Sequence, residues 1–289
     1  NTAVADGHRR RTHAAAARQH EAGEQQPGQP SQVGNHEGRD FHTPRMNADT
    51  AMPRRCASCQ GGIQGGLRTG GLNDFLCRSC LSLLLEMPKA RCKRCGLMLG
   101  PRPQAFGWTH CRHCRPLLAT KPESELDCVI CCDYSAPFDQ WITRLKYGKA
   151  HGMAKFLGHW LGLKTQETTH LLPDLLIPVP CSNTKLKQRG YNQAALIARH
   201  AGRVLKRPVY TDWLIKTSEA SAQAELGREA RLQNLLGAFQ ATRPMPSNTR
   251  IGLVDDVITT GATLQSCVAA LEKAGADSIV LMAVCRTPE

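Results

Sequence analysis

The chain lacks any run of about 18 apolar residues, which excludes a membrane-spanning helix. Its longest oily stretch near the front, Leu81–Leu85, is too short and too far in for a secretory signal. Aromatic residues are scarce, and Phe41 is the only one in residues 1–50. That stretch is rich in Ala, Gln, Gly, His and Arg and has no apolar periodicity, so it cannot offset the entropy of ordering itself. We expect residues 1–51 to be a disordered or non-native N-terminal extension, with Met46 and Met52 standing just before the first cysteine pair. Acidic residues are nearly missing from one segment: residues 51–121 hold twelve Lys/Arg and two Asp/Glu, a local charge of +10. Residues 1–50 are balanced at six and six, and residues 122–289 carry nineteen basic and sixteen acidic residues. The formal net charge of +13 is therefore mostly local, which is the footprint of a polyanion binder or a device for solubility.

Cysteine is plentiful. Eight of the fourteen fall in four Cys-x-x-Cys pairs: Cys56/Cys59, Cys77/Cys80, Cys92/Cys95 and Cys111/Cys114. Repeated knuckles read as zinc ligands rather than as a disulfide framework. They point to a reducing cytoplasm, with any attachment to the inner face of a membrane made through partners. The gaps inside successive pairs, 17 and 15 residues, are alike and favour two sequential four-cysteine sites, with cross-bracing as the alternative. Four thiolates leave no open position, so both Zn²⁺ ions would be structural. Eight thiolates holding two Zn²⁺ lower the segment's charge to +6, still basic. Arg91, Lys93, Arg94, Arg112 and Arg115 flank or sit within the knuckles, with Phe106 and Trp108 nearby. These residues suit phosphate contact and base stacking, or else the packing of a small ribbon core. The remaining cysteines, among them Cys128, Cys131, Cys132, Cys267 and Cys285, read as buried thiols.

From about Leu126 strand-like and helix-like runs alternate, which predicts an α/β fold with a mostly parallel sheet and helices on both faces. Strands are expected at Leu126–Tyr134, Leu175–Val179, Ile251–Asp255 and Ser278–Cys285. Helices are expected at Phe138–Tyr147, Met153–Leu163, Asn192–Leu205 and Thr263–Ala274. Within Ile251–Leu264, an apolar strand delivers Asp255 and Asp256 at its carboxyl edge. Val257, Thr259, Thr260, Gly261, Ala262 and Thr263 follow, and then a helix. Small residues, hydroxyls and the free amides of a helix start cradle a phosphate. Two carboxylates would repel a bare phosphate, but they make sense as acceptors for the 2′- and 3′-hydroxyls of an attached ribose. No Gly-Lys-Ser/Thr follows, so the loop is not a Walker A motif. This stretch resembles the type I phosphoribosyltransferase signature. A second landmark, Ile177–Gln193, ends a strand at Pro180 and then presents Lys185, Lys187 and Arg189 on a loop suited to the pyrophosphate of such a substrate.

Several pieces together resemble the ComF family. They are Leu145–Gly148, Pro178–Pro180, Arg189–Gln193, the segment Gln223 to Phe239, and Asp255–Thr263, with the leading Cys-x-x-Cys knuckles similar to a double zinc ribbon. The resemblance covers about four-fifths of the chain. It implies a double zinc ribbon over residues 52–121 and a type I phosphoribosyltransferase-like domain over residues 122–289. It further implies binding of phosphoribosyl pyrophosphate with Mg²⁺, and a link to natural transformation through single-stranded DNA and the proteins of DNA uptake. The alternative is an active phosphoribosyltransferase that moves 5-phosphoribose to an acceptor the sequence does not identify, with Asp255 and Asp256 stabilising a cationic ribosyl transition state. Lys185, Lys216 and Ala220 depart from the family pattern.

Overall fold

The computed structural model describes residues 55–63, 70–85, 90–116, 127–148, 151–168, 172–217 and 238–288. The expected extension 1–51, the expected boundaries at 51/52 and 121/122, and the motif residues Gln223 to Asn234 lie outside them. So do Ala220 and Ser221.

Strands β1 (Asp127–Asp133), β2 (Leu175–Pro178), β5 (Arg250–Ile258) and β6 (Ser278–Arg286) form one parallel sheet in the order β1-β6-β5-β2. Near-continuous apolar strands suit a sheet covered on both faces, and β6 is buried over eight of its nine residues. A single parallel bridge, Leu176 to Val209, extends the sheet beyond β2. β3 (Leu214–Lys216) and β4 (Phe239–Ala241) make a separate antiparallel pair.

One face is covered by α4 (His151–Thr168) and α6 (Gln193–Leu205). α4 is buried nearly all round, because it is clamped between the sheet and α6. Gly158 and Gly162, one turn apart, allow that approach: a Cβ at Gly158 would stand 2.5 Å from the Ile197 carbonyl oxygen. Phe138 and Trp141 of α3 (Phe138–Tyr147) interlock with Phe156 and Trp160 in edge-on and tilted pairs, with Phe156 and Trp160 stacked. The opposite face carries α7 (Ala262–Lys273) and the β3–β4 pair in a second apolar layer.

The cysteine-rich residues pack onto this body in two parts. Leu76 and Leu84, the latter on α1 (Arg78–Leu85), enter the same apolar cluster as Phe156 and Trp160, together with Cys56 and Cys80. The second part, which includes α2 (Pro101–Ala105), has its own small core of Leu97, Leu99 and cysteines. It docks on β1 through an Arg91–Asp133 ion pair at 2.7 Å and a hydrogen bond from the Cys128 N–H to the Lys93 carbonyl. Among the described residues no helix is long and apolar enough to cross a membrane.

Candidate functional site

Beyond β2 the chain runs through α6 to the Val209 bridge on the outer side of β2. Beyond β5 it runs through α7 to β6 on the other side. The two connections diverge, so the carboxyl ends of β2 and β5 open a crevice of the kind where α/β sheets bind ligands. Both sequence landmarks lie there. β5 is longer than expected and runs through Asp255, Asp256 and Val257 to Ile258, because Asp255, Val257 and Ile258 keep their register with Ala283, Cys285 and Arg286. The expected loop is correspondingly shorter. Thr259, Thr260 and Thr263 are exposed, and Gly261 caps α7 with φ +82°, a left-handed conformation suited to glycine. Val257 belongs to the strand, and its N–H donates to Asp256 Oδ1 at 2.9 Å.

On a strand, neighbouring residues face opposite ways. Leu253 thus packs in the α7 layer and Val254 in the α4 layer, while at the end of the strand the Asp255 and Asp256 carboxyls lie close enough to hydrogen-bond to each other. Lys146 near the end of α3 places its Nζ 2.9 Å from Asp256 Oδ2. Burial, and then the negative charge of Asp256, hold the Asp255 carboxyl well above the usual carboxylate range. Lys146 therefore has a carboxylate partner in this structure.

The expected basic loop is instead a short helix, α5 (Asn183–Arg189). Ser182 caps its start by accepting from the Lys185 N–H, and Gly190, at φ +79°, ends it. Lys185 and Lys187 are exposed on this helix. Arg189 lies over the Tyr147 ring, 5.2 Å from its centroid, and donates to Gln193 Oε1 at 3.2 Å. The Tyr191 hydroxyl donates to the Leu145 carbonyl at 2.6 Å. Asn192 donates to the Val179 carbonyl and accepts from the Ala194 N–H, capping α6. The Arg189–Gln193 motif therefore ties the end of α3, and with it Lys146, to the end of β2. Tyr147, at the end of α3, is 65% exposed, while Trp141, Ile142 and Leu145 of the same helix are buried.

The thiol sulfurs of Cys56, Cys59, Cys77 and Cys80 lie within 4.8 Å of one another, and so do those of Cys92, Cys95, Cys111 and Cys114. Each set can hold a metal ion, and the pairing is sequential rather than cross-braced. Within the second tetrad the thiols are split: hydrogen bonding to Cys92 and then burial push Cys95 up, and burial pushes Cys114 up. The Cys92 thiol is drawn down to about 4, first by hydrogen bonding from Cys95 and then, against its burial, by the backbone N–H groups of Cys111, Cys95 and Arg94. Arg91, read from sequence as a phosphate contact, turns inward to Asp133 and the Gly96 carbonyl. Sequence reasoning missed Arg286, a buried guanidinium at the end of β6. It donates to the carbonyls of Cys95 and Ile258, both at 3.2 Å, and so joins the second tetrad to the base of the Thr259–Thr263 loop. Its only signal in the sequence is an arginine closing an apolar strand. Cys128, Cys131, Cys132, Cys267 and Cys285 are buried as expected.

No family model matches the chain. Competence protein F of Haemophilus influenzae is 30% identical over 240 residues, spanning 80% of this chain and 96% of the relative. The chain belongs to the ComF family. The DNA utilization protein YhgH of Escherichia coli K12 is 29% identical over 73% of this chain and 90% of its own length. Competence protein ComFC of Bacillus subtilis is 26% identical over 72% of this chain and 82% of its own length. Among solved structures, the purine phosphoribosyltransferase of Pyrococcus horikoshii overlaps 46% of this chain and 71% of its own, with 20% identity and a TM-score of 0.29. The glutamine phosphoribosylpyrophosphate amidotransferase of B. subtilis overlaps 45% of this chain and 26% of its own, with 22% identity and a TM-score of 0.32.

Proposed function

We propose that this ComF-family chain is a DNA-uptake factor that binds phosphoribosyl pyrophosphate with Mg²⁺ in the β2–β5 crevice and takes single-stranded DNA as a partner. The observation that carries the reading is the placing of a hydroxyl-rich loop and helix start immediately after two adjacent carboxylates at the diverging connections of a parallel sheet. In this reading the 5′-phosphate occupies Thr259–Thr263 at the start of α7, where free amides and the helix dipole favour its charge. Asp255 and Asp256 accept from the ribose hydroxyls, and Lys185, Lys187 and Arg189 attract the pyrophosphate. Lys146 then has two roles: it balances Asp256 before binding, and it is the nearest cation for the ligand's charge afterwards. The DNA part rests on the excess of basic residues over residues 51–121 and on the names of the relatives.

The donor sets of the two cysteine tetrads fit Zn²⁺, which takes four thiolates in a closed tetrahedral site. Its contribution would be structural. Cys56, Cys59, Cys77 and Cys80 would hold one ion and Cys92, Cys95, Cys111 and Cys114 the other. In this reading DNA-uptake proteins are further partners of the assembled chain.

Titration of the full chain with phosphoribosyl pyrophosphate, with and without Mg²⁺, tests the site. Asp256→Ala should weaken binding by about 10–100-fold, the cost of losing charge-assisted hydrogen bonds. Unchanged affinity in that variant and in Asp255→Ala would remove the crevice from consideration. One observation favours a second reading, that of a phosphoribosyltransferase: Asp255 is held above the usual carboxylate range and can exchange a proton beside the ribose. Pyrophosphate release in the presence of candidate bases separates the two readings, since a binder alone releases none.

A further inference from the structure

The second cysteine tetrad carries surface aromatics that its own folding does not use. The core of this part consists of Cys92, Leu97, Leu99, Cys111 and Cys114, with Ala90 and Cys95 packed against it, and it includes no aromatic ring. Phe106 and Trp108 stand outside it. Their rings stack at 5.4 Å between centroids with an interplanar angle of 22°, and the Arg115 guanidinium lies 3.7 Å from the Trp108 ring centroid. Phe106 is 69% exposed.

The backbone beneath these rings is fixed. Phe106 N–H donates to the Arg102 carbonyl, Gly107 N–H to Gln104 and Trp108 N–H to Pro103, while the Gln104 side chain donates to the Leu99 carbonyl at 2.5 Å. Gly107 makes the turn between the two rings at φ +65°. A rigid turn that holds a large apolar ring in water gains nothing for the fold from that ring.

The surroundings are uniformly cationic. Residues 90–116 hold six Lys/Arg and no Asp/Glu. Arg91 is used inward, and Lys93, Arg102, Arg112 and Arg115 are exposed. Flat π-faces among cations suit a chain that alternates planar bases with phosphates, whereas an acidic peptide supplies the charge without the planes.

We propose that Phe106, Trp108 and Arg115 form a stacking platform for the bases of single-stranded DNA, which extend the Trp108–Phe106 stack while the neighbouring arginines hold phosphates. The proposal deepens the DNA reading above and rests on it. It locates the contact on residues of the second tetrad that the phosphoribosyl reading does not use.

The test uses the full zinc-loaded chain with a labelled oligothymidine and with a duplex of the same length. Trp108 is a built-in reporter, because Trp141, Trp160 and Trp213 are buried and Trp108 is not. The expected results are quenching of Trp108 emission by the single strand and weaker binding of the duplex. Phe106→Ala should weaken single-strand binding about tenfold at unchanged zinc content, with the slope against salt unaltered. Phe106→Tyr, which keeps the ring, should bind as the wild type does. Arg112→Gln should instead lower the salt slope by about 0.7. If the wild type binds and Phe106→Ala binds equally well, the platform is overturned and the DNA reading stands. If the duplex binds as tightly as the single strand, stacking is overturned. If the wild type binds no oligonucleotide at low salt, both fall.

Discussion

Asp255 and Asp256 are adjacent at the end of β5, and their carboxyls interact directly with each other, while Lys146 pairs with Asp256. Asp255 ionises with difficulty, because burial and its neighbour's charge raise its pKa. A carboxyl whose folded value lies above its unfolded one stabilises the fold at low pH and loses that contribution as pH rises through the folded value. Asp255→Asn should therefore melt higher than the wild type at pH 8, with the gap closing on acidification. Thermal unfolding at several pH values checks this, and a gap independent of pH would refute it. His200 on α6 behaves differently. Burial first, and then Arg203 and Lys155, lower its pKa from 6.5 to about 4. The unfolded chain therefore takes up a proton that the folded chain refuses, and stability should fall as pH drops from about 6.5 toward 4. His200→Gln should flatten that part of the stability profile, as read by denaturant midpoints.

At the scale of elements, the contact of α4 with α6 depends on glycine rather than on apolar bulk. A side chain at Gly158 meets the Ile197 carbonyl, and one at Gly162 meets Val204. Gly158→Val should cost about 1–3 kcal/mol by forcing the helices apart. Chemical denaturation measures this, and a neutral outcome would mean that α6 can move away freely. Arg286 acts between elements. Arg286→Gln should loosen the Ile258 carbonyl and weaken phosphoribosyl pyrophosphate binding without contact to the ligand, and Arg286→Lys should restore little, because one ammonium cannot reproduce the fork that spans Cys95 and Ile258. Titration of both variants beside the wild type decides the point.

Over the whole molecule, the cysteine tetrads and the α/β body share structure. Cys56, Leu76, Cys80 and Leu84 belong to the apolar cluster that contains Phe156 and Trp160, and Arg144 of α3 donates to the Ser58 carbonyl. Metal bound by thiolates contributes about 10–16 kcal/mol in isolated zinc-finger peptides, so its removal should reach beyond the ribbon. Chelation, or Cys56→Ser, should lower the melting temperature of the α/β body itself, seen as a shift in the emission of buried Trp141 and Trp160. Unchanged melting of that body after metal loss would mean that the tetrads only ride on the surface.

The local patterns were legible in the sequence because each depends on residues close in the chain. The Cys-x-x-Cys spacing gave the eight candidate metal ligands, the apolar runs gave the parallel sheet, and Asp255–Thr263 gave a strand–loop–helix turn. Phe138–Tyr147 is a helix over the expected residues. The sequence reading left the tetrad pairing open, and long-range packing brought Cys56 to Cys77 rather than to Cys92. Tertiary structure also decided how far β5 runs, since cross-strand register with β6 carries it to Ile258 where local composition suggested a loop. It likewise decided which charges face inward. Arg91, Lys146 and Arg286 are ordinary basic residues along the chain, and they became partners of Asp133, Asp256 and two backbone carbonyls only when strands distant in sequence were laid side by side.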